Sequence, residues 1–200
     1  MILRSQKSGT SPASHRNIQI PSQKLTRNTW ARVAAFFISH RLKSATDSPL
    51  DFARLFTEPK DWLLVMPAEA NAFDAAMPLC LELIENLKGV RLHLFVPYDF
   101  RHWVITSPHL KVHPFHQQDL HLRCFPRSSL LRRLRDIHPV VAVDLSPCPT
   151  PLSLSVCGLS GATIRGSISR NIGDAIFNFL VKSRARELGD RYRALFAYLS

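Results

Sequence analysis

The chain of 200 residues is long enough for one domain with extensions, and 46% hydrophobic residues suffice for a core. The net charge of +11 lies mainly at the N-terminus, since residues 1–48 carry eight Lys and Arg against the single acid Asp47. No apolar run approaches the roughly 20 residues that span a bilayer, and the polar start argues against a signal peptide.

The N-terminal part is predicted to lie outside the folded domain. Residues 1–24 are polar, basic and aperiodic, and we expect them to be disordered unless a partner orders them. Residues 25–58 hold a basic amphipathic helix and a linker, with Asn28 or Thr29 as the N-cap. The helix could lie in a membrane interface, and docking on this domain or on a partner is favoured. The candidate docking residues are Trp30, Arg32, Phe37, Arg41 and Lys43.

From residue 59 to residue 200 short apolar segments alternate with helical patterns. The apolar segments read as strands covered on both faces, and crossovers of this length imply a parallel sheet with right-handed connections. We therefore predict one α/β, Rossmann-like domain with a parallel sheet of about five or more strands flanked by helices. The predicted strands are "DWLLVMP", "VRLHLFVP", "LKVHPFH", "PVVAVDLS" and "ATIRGSIS".

The predicted helices lie between and after these strands. "FDAAMPLCLELIENLKG" is expected to close at Gly89, and "RSSLLRRLRDIH" to be capped by Ser128 or Ser129. "YDFRHWVITS" indicates a short helix or turn, and "PTPLSLSVCGLSG" a helix that ends in glycine. The remaining segment, "NIGDAIFNFLVKSRARELGDRYRALFAYLS", predicts one or two helices that break near Gly189.

The loop after the first strand contains no glycine, although nucleotide-handling domains usually place glycine there. None of the seven glycines forms a G-x-G-x-x-G or P-loop pattern, so no cofactor is predicted. The four cysteines lack C-x-x-C or zinc-ligand spacing and are expected to be free thiols. Four histidines lie close together in the sequence. Pro114 breaks any helix that would align His109 with His113, and a strand would place His113 and His116 on opposite faces, so a neutral surface segment is favoured over a metal site. These histidines are His109, His113, His116 and His121.

Arginines on the "RSSLLRRLRDIH" helix could hold phosphates, although a solvated helix face is the commoner use. Nucleic-acid binding would need exposed aromatics among clustered cations, and Phe95, Phe177 and Phe179 are expected in the core instead. Nucleic acid is therefore the weaker partner prediction, behind other protein subunits and a membrane surface contacted through the N-terminal helix.

The segments from about Trp62 onward resemble the N-terminal domain of glycosyltransferase family 9, the lipopolysaccharide heptosyltransferases. The matching pieces are "LLVMPAEANAFDAAMPLCLELIENLKGVRLHLFVP", "PVVAVDLSPCPTPLSLSVCGLSGATIRGSI" and "RYRALFAYL", which together with their spacing cover roughly 140 of 200 residues. The family's Asp-containing turn after strand four, its small-residue step and its Arg-x-Gly strand correspond to Asp144-Leu145, Gly161-Ala162 and residues 165–168.

The resemblance implies a general base that this chain lacks. Family members place an aspartate, in a Ser-x-x-Gly-Asp loop, before a helix that contains proline. Setting Pro78 on that proline puts Ala72 in the place of the aspartate, and alanine cannot accept a proton. Asp74 and Glu69 are the substitute candidates, although Asp74 is better interpreted as a first-turn acid that favours the helix N-terminus. The family's second domain, which holds most nucleotide-sugar contacts, has no counterpart in this sequence.

These features predict a non-catalytic, glycosyltransferase-like binding or structural subunit of a larger assembly. One alternative is the acceptor-binding half of a split glycosyltransferase that works with a separate donor-binding subunit and uses Asp74 or Glu69 as the base. A further alternative is an anion-binding module for nucleic acid or a membrane surface. A cytoplasmic location is expected, with peripheral attachment to the inner membrane left open and organelle targeting disfavoured.

Overall fold

The structure is a computed structural model of the chain, and the predicted arm, except Lys24, and residues 43–58 lie outside its described residues. The described residues are 24–42, 60–87, 89–122, 124–168 and 175–199.

A six-stranded, fully parallel sheet forms the centre of the protein, which confirms the predicted α/β fold. Its order is β3-β2-β1-β6-β7-β8, and a separate antiparallel pair, β4 and β5, lies outside it. The strands of the sheet are β1 (Asp61–Val65), β2 (Arg91–Pro97), β3 (Leu110–Phe115), β6 (Val141–Asp144), β7 (Ile164–Ser167) and β8 (Phe179–Leu180). The small pair consists of β4 (Leu120–His121) and β5 (Phe125–Pro126).

Five α-helices of the described residues cover the two faces of this sheet. A 3₁₀ helix, Tyr98–Trp103, follows β2, and a shorter one, Gln117–Asp119, follows β3. The α-helices are α1 (Lys24–Leu42), α2 (Ala70–Asn86), α3 (Ser128–Arg135), α4 (Pro151–Leu159) and α5 (Leu188–Phe196).

Alternate side chains of each strand enter two separate hydrophobic clusters, as the period of two along a strand requires. Trp62 and Leu64 of β1 face α2 and α5, whereas Leu63 and Val65 face α1, α3 and α4. Because both faces are buried, the strands need apolar residues at consecutive positions, and this explains why their sequences are continuous apolar runs.

Helix α1 packs on α4 through small side chains. Ala31, Ala34 and Ile38 are almost fully buried at this contact, and Gly158 of α4 lies against the Ile38 side chain. A β-carbon added at Gly158 would overlap Ile38 Cγ2. The two helices therefore approach more closely than a larger residue at position 158 would allow.

Several predicted helix boundaries are wrong. Helix α1 begins at Lys24, so Asn28 and Thr29 lie inside it and do not cap it. Helix α3 has Arg127 at its N-cap, which leaves Ser128 as its first residue. Gly189 lies within the first turn of α5 and does not break a helix.

Other boundaries also move. Helix α2 begins at Ala70, three residues before the predicted start, and its C-cap is Leu87. Gly89 lies in the following turn with a φ of 81°, a conformation that glycine adopts without strain. In the C-terminal segment, the predicted helices are partly replaced by β8, the sixth strand of the sheet.

All four cysteines lie in the described residues and are free thiols, as predicted. Cys80 and Cys157 are buried, and burial raises the pKa of Cys80 to about 12. Within the described ranges, no helix is both long enough and apolar enough to cross a membrane.

Replacing Gly158 with alanine tests the close contact of α1 and α4. We expect Gly158→Ala to destabilise the protein by about 1–3 kcal/mol, because an extra methyl group must displace Ile38. The measurement is the free energy of unfolding in urea. The double variant Gly158→Ala, Ile38→Ala should lose less stability than the sum of the two single variants, and additive losses would contradict the contact.

Candidate functional site

The candidate site lies where β1 and β6 end side by side at the centre of the sheet. After β1 the chain enters α2 on one face, and after β6 it enters α4 on the other face. Val65 pairs with Asp144 in register, and the Leu145 N–H donates to the Val65 carbonyl oxygen at 3.0 Å. In open α/β sheets, ligands bind in the crevice outside the carboxyl ends of the strands at such a reversal of strand order.

A cavity of about 40 Å³ opens at this switch point. Such a volume holds a few water molecules, whereas pockets for drug-sized ligands measure about 300–1,000 Å³. Its polar lining comes from the loops after β1 and β6 and from the start of α4. Its apolar lining includes the stacked rings of Phe95 and Phe115. The polar lining residues are Glu69, Ser146, Thr150 and Ser153.

The segment between β1 and α2 presents one carboxylate to the cavity. Glu69 is the N-cap residue of α2 by backbone position, although its side chain makes no cap hydrogen bond, and it lines the cavity. Ala72 is 3% exposed in the first turn of α2. Asp74 lies beyond the first turn of α2, so its interpretation as a first-turn acid is wrong. Its side chain is exposed and does not line the cavity. Glu69 is therefore the better placed of the two candidate acids.

Asp144 is a completely buried carboxylate beside this cavity. Its Oδ1 accepts a hydrogen bond from the Ser146 N–H at 2.9 Å, and its Oδ2 has no hydrogen-bond partner. Burial raises the pKa of Asp144 to about 6, against the opposing influence of Ser153 and Ser146, and the negative charge of Glu69 raises it further. A buried acid with such a pKa, next to a cleft, is a feature that is enriched at functional sites.

Tyr192 of α5 holds the backbone next to Asp144 in place. Its hydroxyl donates a hydrogen bond of 2.5 Å to the Leu145 carbonyl oxygen, and burial raises the pKa of Tyr192. The end of β6 is therefore fixed from the face of the sheet opposite to α4, and this limits movement of the switch-point loop.

The histidine-rich segment does not form the metal site that was considered for it. His109 and His121 are exposed and His116 packs against Tyr98, so the four histidines do not converge. The described part of the chain contains no group of three or more His, Cys, Asp or Glu that could hold a metal ion. His113 is partly buried, which corrects the expectation that it lies in a surface segment.

His113 instead ends a hydrogen-bonded chain that crosses three strands. His113 Nε2 lies 2.9 Å from His93 Nδ1, and His93 Nε2 lies 2.8 Å from Asp61 Oδ1. Arg91 also pairs with Asp61, at 2.7 Å. Burial alone would raise the pKa of Asp61, but the bonds to His93 and Arg91 outweigh it and lower that pKa.

Both imidazoles of this chain are neutral at pH 7. Burial lowers the pKa of His93. Burial also lowers the pKa of His113 to about 4, together with repulsion from His93 when that ring is protonated and from Lys111 and Arg133. Since the Asp61 carboxylate only accepts, neutral His93 donates through Nε2 and accepts through Nδ1 from His113. The chain therefore has one defined set of tautomers. It runs from the first residue of β1 to the middle of β3, and its three residues do not line the cavity.

Three side chains in contact, Tyr98, Arg101 and His116, join the segments that follow β2 and β3. The rings of Tyr98 and His116 have centroids 3.7 Å apart, and the guanidinium of Arg101 lies 3.5 Å from the Tyr98 centroid. Arg101 Nη1 is buried and has no hydrogen-bond partner. Such cation–π contact contributes roughly 0.5–2 kcal/mol and orders the segment next to the cleft.

The described candidate docking residues are on the exposed side of α1, where the ring of Trp30 also contacts Phe125 of β5. Trp30 and Phe37 are 47% and 65% exposed, and Arg32 and Arg41 are also exposed. Lys43 lies outside the described residues. Whether this side contacts a partner remains a prediction.

In the sequence, Asp144 stands out only as part of a motif, and the hydroxyls beside it carry no local signal. An acid that directly follows three apolar strand residues is the signal that could have identified it. Its importance depends on burial, which the sequence does not specify. The residues missed are Asp144, Ser146, Thr150, Ser153, His93 and Asp61.

No protein-family model and no curated protein sequence matches the chain. Among solved structures, the fold is similar to that of Escherichia coli heptosyltransferase WaaC with ADP, with a TM-score of 0.52 and 13% identity over 69% of this chain and 46% of that one. A glycosyl transferase of family 9 from Veillonella parvula DSM 2008 matches with a TM-score of 0.52 and 13% identity, over 70% of this chain and 41% of that one.

The chain thus spans less than half the length of either structure. The predicted resemblance to family 9 is confirmed at the level of the fold, which is glycosyltransferase-like. Activity, substrates and partners do not follow from a similarity of fold at this identity.

Ionised Asp144 should lower the free energy of unfolding above pH 6, relative to its protonated form. Because its pKa is raised from 3.8 to about 6 on folding, its contribution is complete below pH 3.8 and is lost as the pH rises through 6. We expect Asp144→Asn to raise the free energy of unfolding at pH 8 by about 1–3 kcal/mol, and by less at pH 5. Urea unfolding at the two pH values measures this, and an Asn variant less stable than the wild type at pH 8 would contradict it.

His113 should act in the opposite direction. Its pKa falls from 6.5 to about 4 on folding, so its contribution is present above pH 6.5 and is lost as the pH falls towards 4. His113→Gln, which keeps a donor for His93, should lose less stability than the wild type between pH 7 and pH 4.5. His109→Gln, on the exposed start of the segment, is the matched control and should follow the wild type in urea unfolding.

Proposed function

We propose that this chain is a non-catalytic, glycosyltransferase-like subunit that binds other protein subunits in a larger assembly. The observation that carries the proposal is Ala72. The resemblance to family 9 sets this residue in the place of the general base, and here it is a buried methyl group in the first turn of α2. A methyl group cannot take a proton from an acceptor hydroxyl, so the expected chemistry has no base at that position.

The size of the switch-point cavity also supports a non-catalytic role. At about 40 Å³ it is roughly a tenth of the volume that small-molecule sites usually have. Phe95 and Phe115 fill the space on the side of α3 and α4, where their stacked rings have centroids 4.4 Å apart. A sugar enclosed within this cavity would require these rings or the loop before α2 to move.

One observation favours a second function, the acceptor-binding half of a split glycosyltransferase. Glu69 lines the cavity, and its negative charge contributes to the raised pKa of the neighbouring Asp144. Two carboxyl groups in different environments are a common arrangement for acid–base work. In this alternative Glu69 serves as the base, whereas Asp74 lies outside the cavity.

A turnover assay separates the two functions. The purified chain, incubated with ADP-linked and UDP-linked sugars, should release free nucleotide no faster than a protein-free control. Release above that control by the chain alone would overturn the proposal. The native complex should contain several proteins, as measured by cross-linking and mass spectrometry, rather than one nucleotide-binding partner.

If a nucleotide-binding partner is found, variants of the complex decide the question. Split-enzyme activity would require that Glu69→Gln abolishes nucleotide release, while Asp74→Asn, an equally conservative change outside the cavity, leaves it intact. Equal, negligible release by the wild-type complex and both variants would support the non-catalytic role.

A further inference from the structure

Helix α1 carries a concentration of exposed apolar side chains that the proposed function does not use. Phe36 and Phe37 are 68% and 65% exposed, which is unusual for phenylalanine in a folded domain. Of the large hydrophobic side chains that are exposed within the described ranges, half lie on this one helix. They are Trp30, Val33, Phe36 and Phe37, and we call them the α1 apolar ridge.

The opposite side of α1 fixes this ridge in position. Ala31, Ala34 and Ile38 are buried against α4, so α1 is held along its length on the surface of the domain. Val33, Phe36 and Phe37 follow the i, i+3, i+4 spacing that places side chains on one face of a helix. Phe36 and Phe37 therefore extend into solvent, and the axis of α1 lies along the surface of the domain.

Cations flank the ridge on both sides. Arg32 lies beside Phe36, and Arg41 lies beyond Phe37, and both arginines are exposed. The sequence of α1 contains no Asp or Glu. Trp30 stands at the end of the ridge, where its ring meets Phe125 edge-on with centroids 6.2 Å apart. Exposed aromatic rings between arginines are a feature of helices that lie in the membrane interface, although apolar residues of α1 occupy both of its sides, one of which packs on α4.

We propose that the α1 apolar ridge docks on an anionic lipid bilayer, with α1 parallel to the membrane plane. The aromatic rings enter the boundary between headgroups and acyl chains, while Arg32 and Arg41 contact anionic headgroups. The charge of the surrounding sequence favours this partner, since residues 1–48 carry eight Lys and Arg against one acid. A second copy of the chain is disfavoured, because pairing two ridges would bring four arginines of like charge together.

Vesicle co-sedimentation of the full chain tests this proposal. The wild type should bind vesicles of phosphatidylcholine mixed with phosphatidylglycerol at least about tenfold more strongly than vesicles of phosphatidylcholine alone. Added salt should weaken this binding in the wild type itself, a measurement that needs no variant. Phe36→Ser combined with Phe37→Ser should reduce binding by about tenfold or more, because both side chains lose their apolar burial.

Two further variants separate the contributions. Arg32→Gln combined with Arg41→Gln should weaken binding to the anionic vesicles by on the order of tenfold and leave the weak binding to neutral vesicles unchanged. Tyr198→Ser removes an aromatic side chain that is 70% exposed beyond α5, and it should bind like the wild type. Unfolding midpoints of all variants should match the wild type, since the changed side chains are exposed.

The proposal is overturned if the wild type does not bind anionic vesicles at low salt, or if it binds neutral vesicles equally well. Wild-type binding by the Phe36, Phe37 variant would also overturn it. If the folded protein does not bind vesicles, the α1 apolar ridge would be assigned to an acidic protein surface instead. None of these outcomes bears on nucleotide release, so the proposal stands or falls separately from the absence of catalysis.

Discussion

The burial of β1 on both faces and along both edges is the constraint on which the rest of the structure depends. Its residues from Trp62 to Val65 are at most 3% exposed, and the strand pairs with β2 on one side and β6 on the other. A parallel strand so enclosed requires crossover helices on both faces. Because the chain leaves β1 and β6 towards opposite faces, the same constraint opens the cleft at their carboxyl ends, where Glu69 and Asp144 lie.

The sheet could be predicted from sequence because its strands are continuous apolar runs of ordinary length. Its smallest parts could not, since β8 and the β4–β5 pair contain two residues per strand and therefore show no periodicity. The predicted start of α2, Phe73, is three residues too late. A loop is expected after the first strand of such folds, but Ala70 and Ala72 have high helix propensity and extend the helix into it. The faces of α1 were also indistinct in sequence, since apolar residues occupy both of them.

Only part of the candidate site could be predicted from the sequence, because some of its features depend on contacts between distant segments. Glu69 could be selected because an acid between a strand and a helix is a local feature. The state of Asp144 depends on α4 covering it, and the role of His113 depends on pairing with His93 on the adjacent strand. Four histidines close in sequence suggested a metal site, whereas the sheet register joins only one of them to a histidine twenty residues earlier. Such relations arise from the fold and leave no pattern in the local sequence.

The small-residue contact of α1 with α4 has a consequence for biosynthesis. Helix α4, on which α1 packs, begins at Pro151, 109 residues after α1 ends at Leu42. At about 5–20 residues per second, α4 is synthesised roughly 5–20 seconds after α1, and α1 has no α4 to pack on during that time. During this interval α1 exposes Ala34 and Ile38 as well as Phe36, so apolar side chains are accessible on two sides of it. Until α4 is made, the side of α1 that packs on it is open to any chaperone or surface that the nascent chain meets.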